Sequence, residues 1–387
     1  MKKRILIISG IIAALLIILA WGYLFIYGAP AGTADIFANF RGGDEPRIPA
    51  ETLREGVIVD TRGGDAETLR QLTTKPVAGV AFATEDIVWY VEQGTGYIYS
   101  INLRSGEELP VSGTTHTKVV SAKFSPRGNA VIFTTETSRG LQTSIEFIIK
   151  DDEGHVGLVT ANEAFNVENA VFSADGETVV YTSNAPSGSQ VYAYNLEGNT
   201  IDLLQNLPFS ETVISWGNPV YVSVKPASSL MGFVYRIAED SLERLRDGGF
   251  GLTAFGYDGG FVTTEILDEE IVSYAFEDRV YQIPIPLFPE KCVPIPATTS
   301  LLVCAAPYEF PQGRAYPDDW YTGALSLEDS LWFVDIHREE AVLLADPLSE
   351  TGRAIDVSSI TANADGSAFL LVNKNDNTLW LFEPQDL

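Results

Sequence analysis

Short apolar segments joined by tight polar turns recur along this chain and constrain its fold more than any other feature. The clearest copy, FSADGETVVYTSN, runs from Phe172 to Asn184, and a second, FSPRGNAVIFTTE, runs from Phe124 to Glu136. Weaker copies begin at Gly256 and at Ala362. A Gly between two apolar runs is a strong hairpin signal because Gly accepts a positive φ at little cost. The chain is therefore predicted to contain a series of β-hairpins.

Repetition of such a hairpin roughly every 40 residues is typical of a β-propeller, in which each repeat forms one four-stranded blade. The strand patterns from residue 77 onward divide into seven blades, and six or eight would each require one miscounted repeat. The seventh blade has only three strands before the chain ends, whereas Thr68–Leu72 precedes the first blade and belongs to none. Because closure removes exposed sheet edges, we expect this segment to complete the last blade and close the ring over residues 67–387.

The amino terminus has the pattern of a membrane anchor. Three basic residues, Lys2–Arg4, precede an uncharged apolar run from Ile5 to Tyr27, which as a helix is roughly 35 Å long and spans a bilayer. The basic flank predicts that residues 1–4 form a cytoplasmic tip. A cleaved signal peptide is the alternative, with Ala29–Ala31 as the cleavage site, but the apolar part of such peptides is only about 7–15 residues long.

These patterns together give the predicted organisation. Residues 5–27 form a transmembrane signal anchor, residues 28–66 form an extracytoplasmic stalk rich in Gly and Pro, and the propeller lies outside the membrane. A short extra strand is expected at Gly56–Asp60. The fold class is all-β, a seven-bladed β-propeller with an N-terminal transmembrane helix. The predicted location is the cytoplasmic membrane, single-pass, with the N-terminus inside.

Charge and residue counts exclude several classes of function. The formal net charge of -27 argues against nucleic acid as a partner, because phosphate backbones require basic surfaces. Two cysteines and three histidines leave little for a metal site built by the protein. We therefore expect no metal, no cofactor and no nucleic acid.

The two cysteines flank one hairpin, KCVPIPATTSLLVC. If the turn centres on Thr298, Cys292 and Cys304 are direct cross-strand partners at a Cα separation close to what a disulfide needs, about 4.5–5.5 Å. In an exported chain this arrangement favours a disulfide over two buried thiols.

One long connection, Pro307–Glu328, separates the second and third strands of the sixth blade, where other blades use a few residues. A loop longer than about 12 residues without secondary structure is usually functional or disordered. Its aromatic content argues against disorder. The candidate binding residues are Tyr316, Asp318, Asp319, Trp320 and Tyr321. The alternative is that the aromatic side chains plug the channel mouth and the loop simply packs.

The hairpins FSPRGNAVIF and FSADGETVVY resemble the WD-like repeats of the periplasmic Tol-system propeller, F-S-P-D-G-x-x-I-A-F, with departures at Arg127 and Ala174. The segments around Cys304–Pro307 and Asp319–Gly323 also look like membrane-anchored bacterial propellers of unassigned role. The resemblance implies a surface-exposed propeller and brings no catalytic residue.

The predicted function is a membrane-tethered extracytoplasmic binding or scaffold propeller that contacts a protein or a cell-envelope polymer, through the insertion at 307–328. The alternative is a propeller hydrolase or lyase acting on glycans, with paired acids such as Asp318 and Asp319 in acid–base roles. No nucleophile elbow, H-E-x-x-H or phosphate-binding loop occurs in the sequence, so no catalytic residue is assigned.

Overall fold

The computed structural model describes residues 57–59 and 68–384, apart from 151–155, 162–166, 239–240, 247, 297 and 299. The predicted cytoplasmic tip and the anchor at 5–27 lie outside these residues, as does the stalk at 28–66 except for 57–59. Among the residues that are described, no helix is long and apolar enough to cross a membrane.

Strands make up almost all regular structure in this part of the chain. In chain order they are β1 (Val57–Val59), β2 (Leu69–Gln71), β3 (Val77–Phe82), β4 (Ile87–Glu92), β5 (Ile98–Asn102), β6 (Glu108–Ser112), β7 (Val119–Phe124), β8 (Ala130–Thr137), β9 (Gly140–Lys150), β10 (Val156–Thr160), β11 (Val167–Phe172), β12 (Thr178–Ala185), β13 (Gly188–Asn195), β14 (Thr200–Leu207), β15 (Thr212–Ser215), β16 (Tyr221–Val224), β17 (Val234–Ala238), β18 (Ser241–Arg246), β19 (Phe250–Tyr257), β20 (Gly260–Leu267), β21 (Glu270–Phe276), β22 (Val280–Ile283), β23 (Cys292–Pro294), β24 (Leu301–Ala306), β25 (Ser330–Asp335), β26 (Glu340–Ala345), β27 (Val357–Ala362), β28 (Phe369–Asn373) and β29 (Leu379–Phe382). Two short helices, α1 (Asp318–Tyr321) and α2 (Pro347–Thr351), and a 3-10 turn at Pro289–Lys291 complete the list.

The strands form antiparallel meanders, which we number in chain order as meander 1 (β3–β6), 2 (β7–β10), 3 (β11–β14), 4 (β15–β18), 5 (β19–β22), 6 (β23–β26) and 7 (β27–β29). Meanders 1 and 2 join into one eight-stranded sheet, because β6 and β10 pair in parallel at a single position, Ser112 with Val156. The strand β1 adds to the outer side of meander 6 by pairing in parallel with β26. The all-β prediction is confirmed.

The strand expected at Thr68–Leu72 is present as β2, and it pairs antiparallel with β29, the last strand of the chain. The backbone N–H groups of Leu72 and Thr73 also donate to the carbonyl of Leu379. Residues about 310 positions apart in sequence thus share one sheet, and β2 supplies the fourth strand that meander 7 lacks.

A tight turn of defined chemistry closes the hairpin of the repeated motif. Gly176 has φ 68°, and its N–H donates to the carbonyl of Ser173 at 2.9 Å. The Asp175 carboxylate accepts from the hydroxyl of Ser173 and from the N–H of Glu177, and these bonds hold the pKa of Asp175 below its ordinary value. Arg127 of the preceding hairpin donates through Nε to the carbonyl of Asp175 at 2.7 Å. The turns of two successive motifs are therefore bonded to each other.

The hydrophobic core consists of layers between consecutive meanders rather than one central mass. Tyr90 of meander 1 and Leu370 of meander 7 belong to one layer, and Tyr181 of meander 3 and Ile132 of meander 2 belong to another. The first strands of several neighbouring meanders also touch, namely β3 with β7, β11 with β15, β15 with β19 and β23 with β27, and β27 contacts β3. Stacking of meanders buries both faces of each sheet, which agrees with the near-continuous apolar runs of the second strands.

Meander 6 carries the disulfide. Cys292 and Cys304 are direct partners across β23 and β24, as the hairpin pattern predicted, and their sulfurs are bonded. Both residues are buried in the layer between meanders 5 and 6.

Leu69 and Leu109 form a matched pair for testing the role of β2. Both lie on outer strands, but Leu69 is 4% exposed against Phe369 and Phe382 whereas Leu109 is 51% exposed. We expect Leu69→Ala to lower the free energy of unfolding of the full-length protein by about 2–5 kcal/mol, because it removes a buried side chain from the sheet that joins the two ends of the fold. Leu109→Ala should stay within about 0.5 kcal/mol of the parent. Urea denaturation measures both, and equal effects would contradict the pairing.

Candidate functional site

The insertion between β24 and β25 lies at the end of the meanders where the first strands begin. Strand direction dictates this placement, because in an antiparallel meander the second strand ends, and the third begins, beside the start of the first. The loop 225–233 between β16 and β17 and the first residues of β19 lie at the same end. We call this end the insertion face.

The insertion is a compact structure with its own hydrogen bonds. Its short helix α1 follows Pro317, and the N–H of Asp319 donates to the carbonyl of Ala315 at 2.8 Å. The Asp319 carboxylate accepts from the N–H of Ala315 at 3.2 Å, so this side chain braces the turn that precedes α1. The hydroxyl of Thr322 donates back to the carbonyl of Asp318 at 2.8 Å and closes the other end of the helix.

Two of the predicted binding aromatics are buried against the meanders. Tyr316 is 7% exposed and Trp320 is 3% exposed, and both contact Phe288. Phe310 packs edge-on to Tyr316 with ring centroids 5.2 Å apart. Burial raises the pKa of Tyr316 to about 12, and its hydroxyl donates to the carbonyl of Pro311 at 2.6 Å. These side chains fix the insertion in place and present no aromatic face to solvent.

The Trp320 indole is held by a group of charges that we call the buried charge cluster, Lys291, Asp329 and Asp356. The indole Nε1 donates to Asp356 Oδ1 at 2.9 Å and to Oδ2 at 3.0 Å. Lys291 Nζ lies 2.7 Å from Asp356 Oδ1 and 2.7 Å from Asp329 Oδ2. All three charged side chains are at most 1% exposed. The cluster therefore ties the start of β23, the start of β25 and the start of β27 to the insertion.

The two carboxylates of this cluster have different surroundings. Asp356 also accepts from the N–H of Leu327 at 3.1 Å, so both of its oxygens have donors. Asp329 Oδ2 accepts from the N–H of Val357 at 2.7 Å, but its Oδ1 is buried without a hydrogen-bond partner. Burial raises the pKa of Asp329, and the nearby Lys291 ammonium opposes that shift only in part. The environment of Asp329 thus favours its neutral form more than that of an exposed aspartate does.

A second ammonium group covers the same indole. Lys374 Nζ donates to the carbonyl of Trp320, and both Lys374 Nζ and Lys291 Nζ lie 4.6 Å from the centroid of the Trp320 ring. Burial lowers the pKa of Lys374, and Asp356 partly offsets this effect. Cation–π contacts in such desolvated positions contribute about 1–2 kcal/mol each.

The remaining predicted residues point elsewhere. Asp318 accepts from the N–H of Ser228 and, at 2.6 Å, from its hydroxyl, so it fastens the insertion to the loop of meander 4. Tyr321 is 45% exposed, and its hydroxyl donates to Glu290. Desolvation by the surrounding protein raises the pKa of Glu290, although the hydrogen bond from Tyr321 opposes the shift. Of the five candidates, Tyr321 is the one that offers a large surface to a ligand.

Sequence reasoning missed the buried charge cluster. Asp329 lies 38 residues and Asp356 lies 65 residues after Lys291, and no sequence motif links the three. A weak signal exists at Asp356, which stands alone between Ile355 and Val357 at the start of a strand. A charge in such a position indicates a buried partner.

The charged groups of the insertion and of the segments beneath it differ in their access to solvent. Within the described ranges, no group of three or more His, Cys, Asp or Glu side chains is placed to hold a metal ion. The Lys and the two Asp of the cluster are inaccessible to a substrate, because their exposed fractions do not exceed 1%.

Comparison with known proteins supports the architecture. No family model and no curated protein matches the sequence. Among solved structures, the WD40 repeats of RRP9 match 82% of this chain and 97% of their own with a TM-score of 0.52 at 10% identity. The β-propeller domain of the Trilobed protease from Pyrococcus furiosus matches 79% of this chain and 95% of its own with a TM-score of 0.50 at 12% identity.

Acylaminoacyl peptidase from Pyrococcus horikoshii matches 80% of this chain with a TM-score of 0.50 at 12% identity. Only 51% of that peptidase is covered, so this chain spans about half its length. At such identities the likeness concerns the fold alone. The chain is a WD-like β-propeller, as the repeated hairpins predicted. The Pyrococcus furiosus domain is described as having an open velcro topology, whereas here β2 is hydrogen-bonded to β29.

The buried charge cluster predicts that replacing Lys291 by an uncharged residue lowers the stability of the protein strongly. We expect Lys291→Met to lower the free energy of unfolding by about 3–5 kcal/mol near pH 7, because two buried carboxylates lose their shared counter-charge. Lys374→Met is the matched control, since Lys374 is only partly buried and its loss should cost less than half as much. Urea denaturation of the full-length variants gives both values. Equal losses would show that the cluster is not the main anchor.

The raised pKa of Asp329 predicts the sign of a pH effect. An acid whose pKa is higher in the folded than in the unfolded state binds protons more readily when the protein is folded. Its unfavourable contribution to the stability of the protein therefore shrinks as the pH falls towards the ordinary pKa of aspartate. Relative to Asp329→Asn, the parent should therefore gain stability as the pH falls from about 7 towards the ordinary aspartate pKa of about 3.9. Asp365→Asn is the control, because the pKa of Asp365 is lowered by bonds from Ser367 and does not titrate in that range. A parent that loses stability relative to Asp329→Asn on acidification would contradict the assignment.

Proposed function

We propose that this protein is a membrane-tethered, extracytoplasmic binding propeller whose insertion face contacts a protein partner. In this proposal the apolar run at 5–27 is the anchor and 28–66 is the stalk. The seven meanders are seven blades of a closed ring, in which β2 completes the last blade. The single observation that carries the proposal is that hydrogen bonds from Trp320 and to Asp318 fix the insertion rigidly at the insertion face.

The anchoring of the insertion supports a role in recognition. Trp320 connects the insertion to meanders 6 and 7 through Asp356. Asp318 connects it to meander 4 through Ser228. A rigid surface loses little conformational entropy on binding, which favours affinity. The side chains left exposed, including Arg314 and Tyr321, are therefore displayed in fixed positions.

An exposed apolar patch borders the insertion and favours a protein over a glycan as partner. Leu230, Met231, Phe250 and Leu267 are each at least 49% exposed. Met231 and Phe250 form an isolated bridge, so these two residues are neighbours, and Leu267 follows Ile266, the strand partner of Phe250. The next residue, Gly251, approaches the insertion at Tyr316. Contiguous exposed apolar side chains of this kind mark protein interaction sites.

The acidic residues around the patch favour a partner that carries basic groups. Asp268, Glu269 and Glu270 follow Leu267 directly, and the chain as a whole carries a net charge of -27. A partner with an apolar centre and a basic rim fits both features. A cell-envelope polymer remains the other partner class, and catalysis on glycans by a hydrolase or lyase remains the alternative function.

Site-specific photo-crosslinking in the native cell tests the protein partner. A photoreactive residue replaces Met231 or Tyr321 on the insertion face, and Arg338 in the β25–β26 hairpin at the opposite end is the control position. We expect one discrete protein adduct from positions 231 and 321 and none from position 338. Leu230→Glu and Met231→Glu together should reduce the yield of the adduct from position 321 roughly tenfold or more, as loss of an apolar anchor does.

The remaining outcomes separate the alternatives. Adducts of equal yield from both ends of the meanders would contradict the proposed face. Co-sedimentation of the full-length protein with isolated cell-wall sacculi, lost on the same substitutions, would assign the face to the polymer instead. Cleavage of wall glycan that is abolished by Asp319→Ala would support the enzyme.

A further inference from the structure

A polar cavity lies between meanders 2 and 3, away from the insertion. Its volume is about 200 Å³, and its polar lining consists of Ser121, Lys123, Thr134, Thr143, Glu168 and Asn169. This volume lies below the roughly 300–1,000 Å³ of pockets for drug-sized ligands. The cavity therefore suits a small polar molecule.

The hydroxyl groups of the cavity form a ladder across meander 2. Ser121 pairs with Thr134 across β7 and β8, and Thr134 pairs with Thr143 across β8 and β9. Directly paired residues project to the same side of a sheet. At the same register of meander 1 the residues are Gly79, Val91 and Ile98, which are apolar and pack in the core. Three hydroxyls on a face that is otherwise apolar need polar partners.

A similar ladder in meander 5 shows how such groups are satisfied without a ligand. Thr264 and Ser273 lie 2.9 Å apart there, and Thr264 donates to the carbonyl of Leu287 at 2.6 Å. In meander 2 the hydroxyls of Thr134 and Thr143 are 3.5 Å apart and face the cavity. Asn169 Oδ1, across the cavity, is buried without a hydrogen-bond partner. The Asn169 side-chain oxygen, on the meander 3 wall, is therefore a polar group of this cavity that the protein leaves unsatisfied.

Two opposite charges face this cavity without neutralising each other. Lys123 Nζ donates to the carbonyl of Ala170 at 3.2 Å, and within the described part of the chain it has no carboxylate within salt-bridge distance. Glu168 accepts from the side-chain amide of Asn184 and likewise has no cation at that distance among the described residues. Both side chains are exposed where they line the cavity. A ligand that carries a carboxylate and an ammonium group can form one charge-assisted contact with each of them.

We propose that the cavity between meanders 2 and 3 binds a small zwitterion of the α-amino acid type. The ammonium of Lys123 binds the ligand carboxylate, the carboxylate of Glu168 binds its ammonium, and Asn169 Oδ1 accepts a further N–H. The hydroxyls of Ser121, Thr134 and Thr143 bond to the remaining polar atoms. This site is independent of the protein-binding face proposed above, because it uses none of the same residues.

Isothermal titration of the purified full-length protein with the free proteinogenic amino acids tests the proposal. We expect at least one of them to bind. Its amide derivative, which lacks the carboxylate, and its N-acetyl derivative, which lacks the ammonium, should each bind roughly tenfold more weakly or worse, because each loses one charge-assisted contact. If both derivatives bind as well as the parent amino acid, or if none of the amino acids binds at millimolar concentration, the proposal is wrong.

Substitutions locate the site. Lys123→Met should weaken binding roughly tenfold or more and should abolish the difference between the amino acid and its amide. Glu168→Gln should weaken binding roughly tenfold or more and should abolish the difference between the amino acid and its N-acetyl derivative. Because the Glu168 side chain is exposed, this substitution should have little effect on folding. Thr134→Val should weaken binding, whereas Thr135→Val, one residue further along β8 and on the opposite face, is the matched control and should not. Binding that survives both charge substitutions would place the ligand elsewhere.

Discussion

The contact of the Lys291 ammonium with Asp329 and Asp356 is the interaction on which the arrangement of the insertion depends. Charges so completely removed from water are costly unless each has close partners, and breaking such a group leaves an uncompensated charge inside the protein. Here the partners come from three separate segments, namely the 3-10 turn before β23, the residue before β25 and the residue before β27. The Trp320 indole can donate to Asp356 only when the insertion lies against these segments. Folding of the insertion and contact between meanders 6 and 7 are thus coupled.

The meanders themselves are held by apolar layers, and polar groups appear within these layers at few positions. Where hydroxyls occur in meander 5, they bond to one another and to the carbonyl of Leu287, so the layer stays closed. Where they occur in meander 2, a cavity remains and carries Lys123 and Glu168 on its walls. The difference shows how one repeated architecture acquires a specific site. A change of a few residues at equivalent register positions replaces packing by an unfilled polar space.

The two ends of the meanders differ in chemistry. The insertion face has the insertion, the loop with Leu230 and Met231, and the start of β19 with Phe250. The opposite end has short hairpins such as that between β25 and β26, where Arg338 lies near Asp335 in an exposed ion pair. Exposed ion pairs contribute little to stability or to recognition, whereas apolar side chains held on a rigid frame bind partners. This asymmetry is the basis for proposing that recognition takes place at the insertion face.

The sequence by itself determined the features that depend on neighbours along the chain. Asp175 and Gly176 form their turn through bonds within five residues, so the hairpins were predictable, and Cys292 and Cys304 face each other because one hairpin joins them. The sequence also indicated that Thr68–Leu72 needs a sheet to complete, because meander 7 lacks a strand. Only the tertiary structure decided that Trp320 is buried and Tyr321 exposed, since that choice depends on Lys291 and Asp356, which are distant in sequence and belong to different sheets. The placement of Lys123 and Glu168 around one cavity has the same origin, because side chains on separate meanders come together only when the meanders stack.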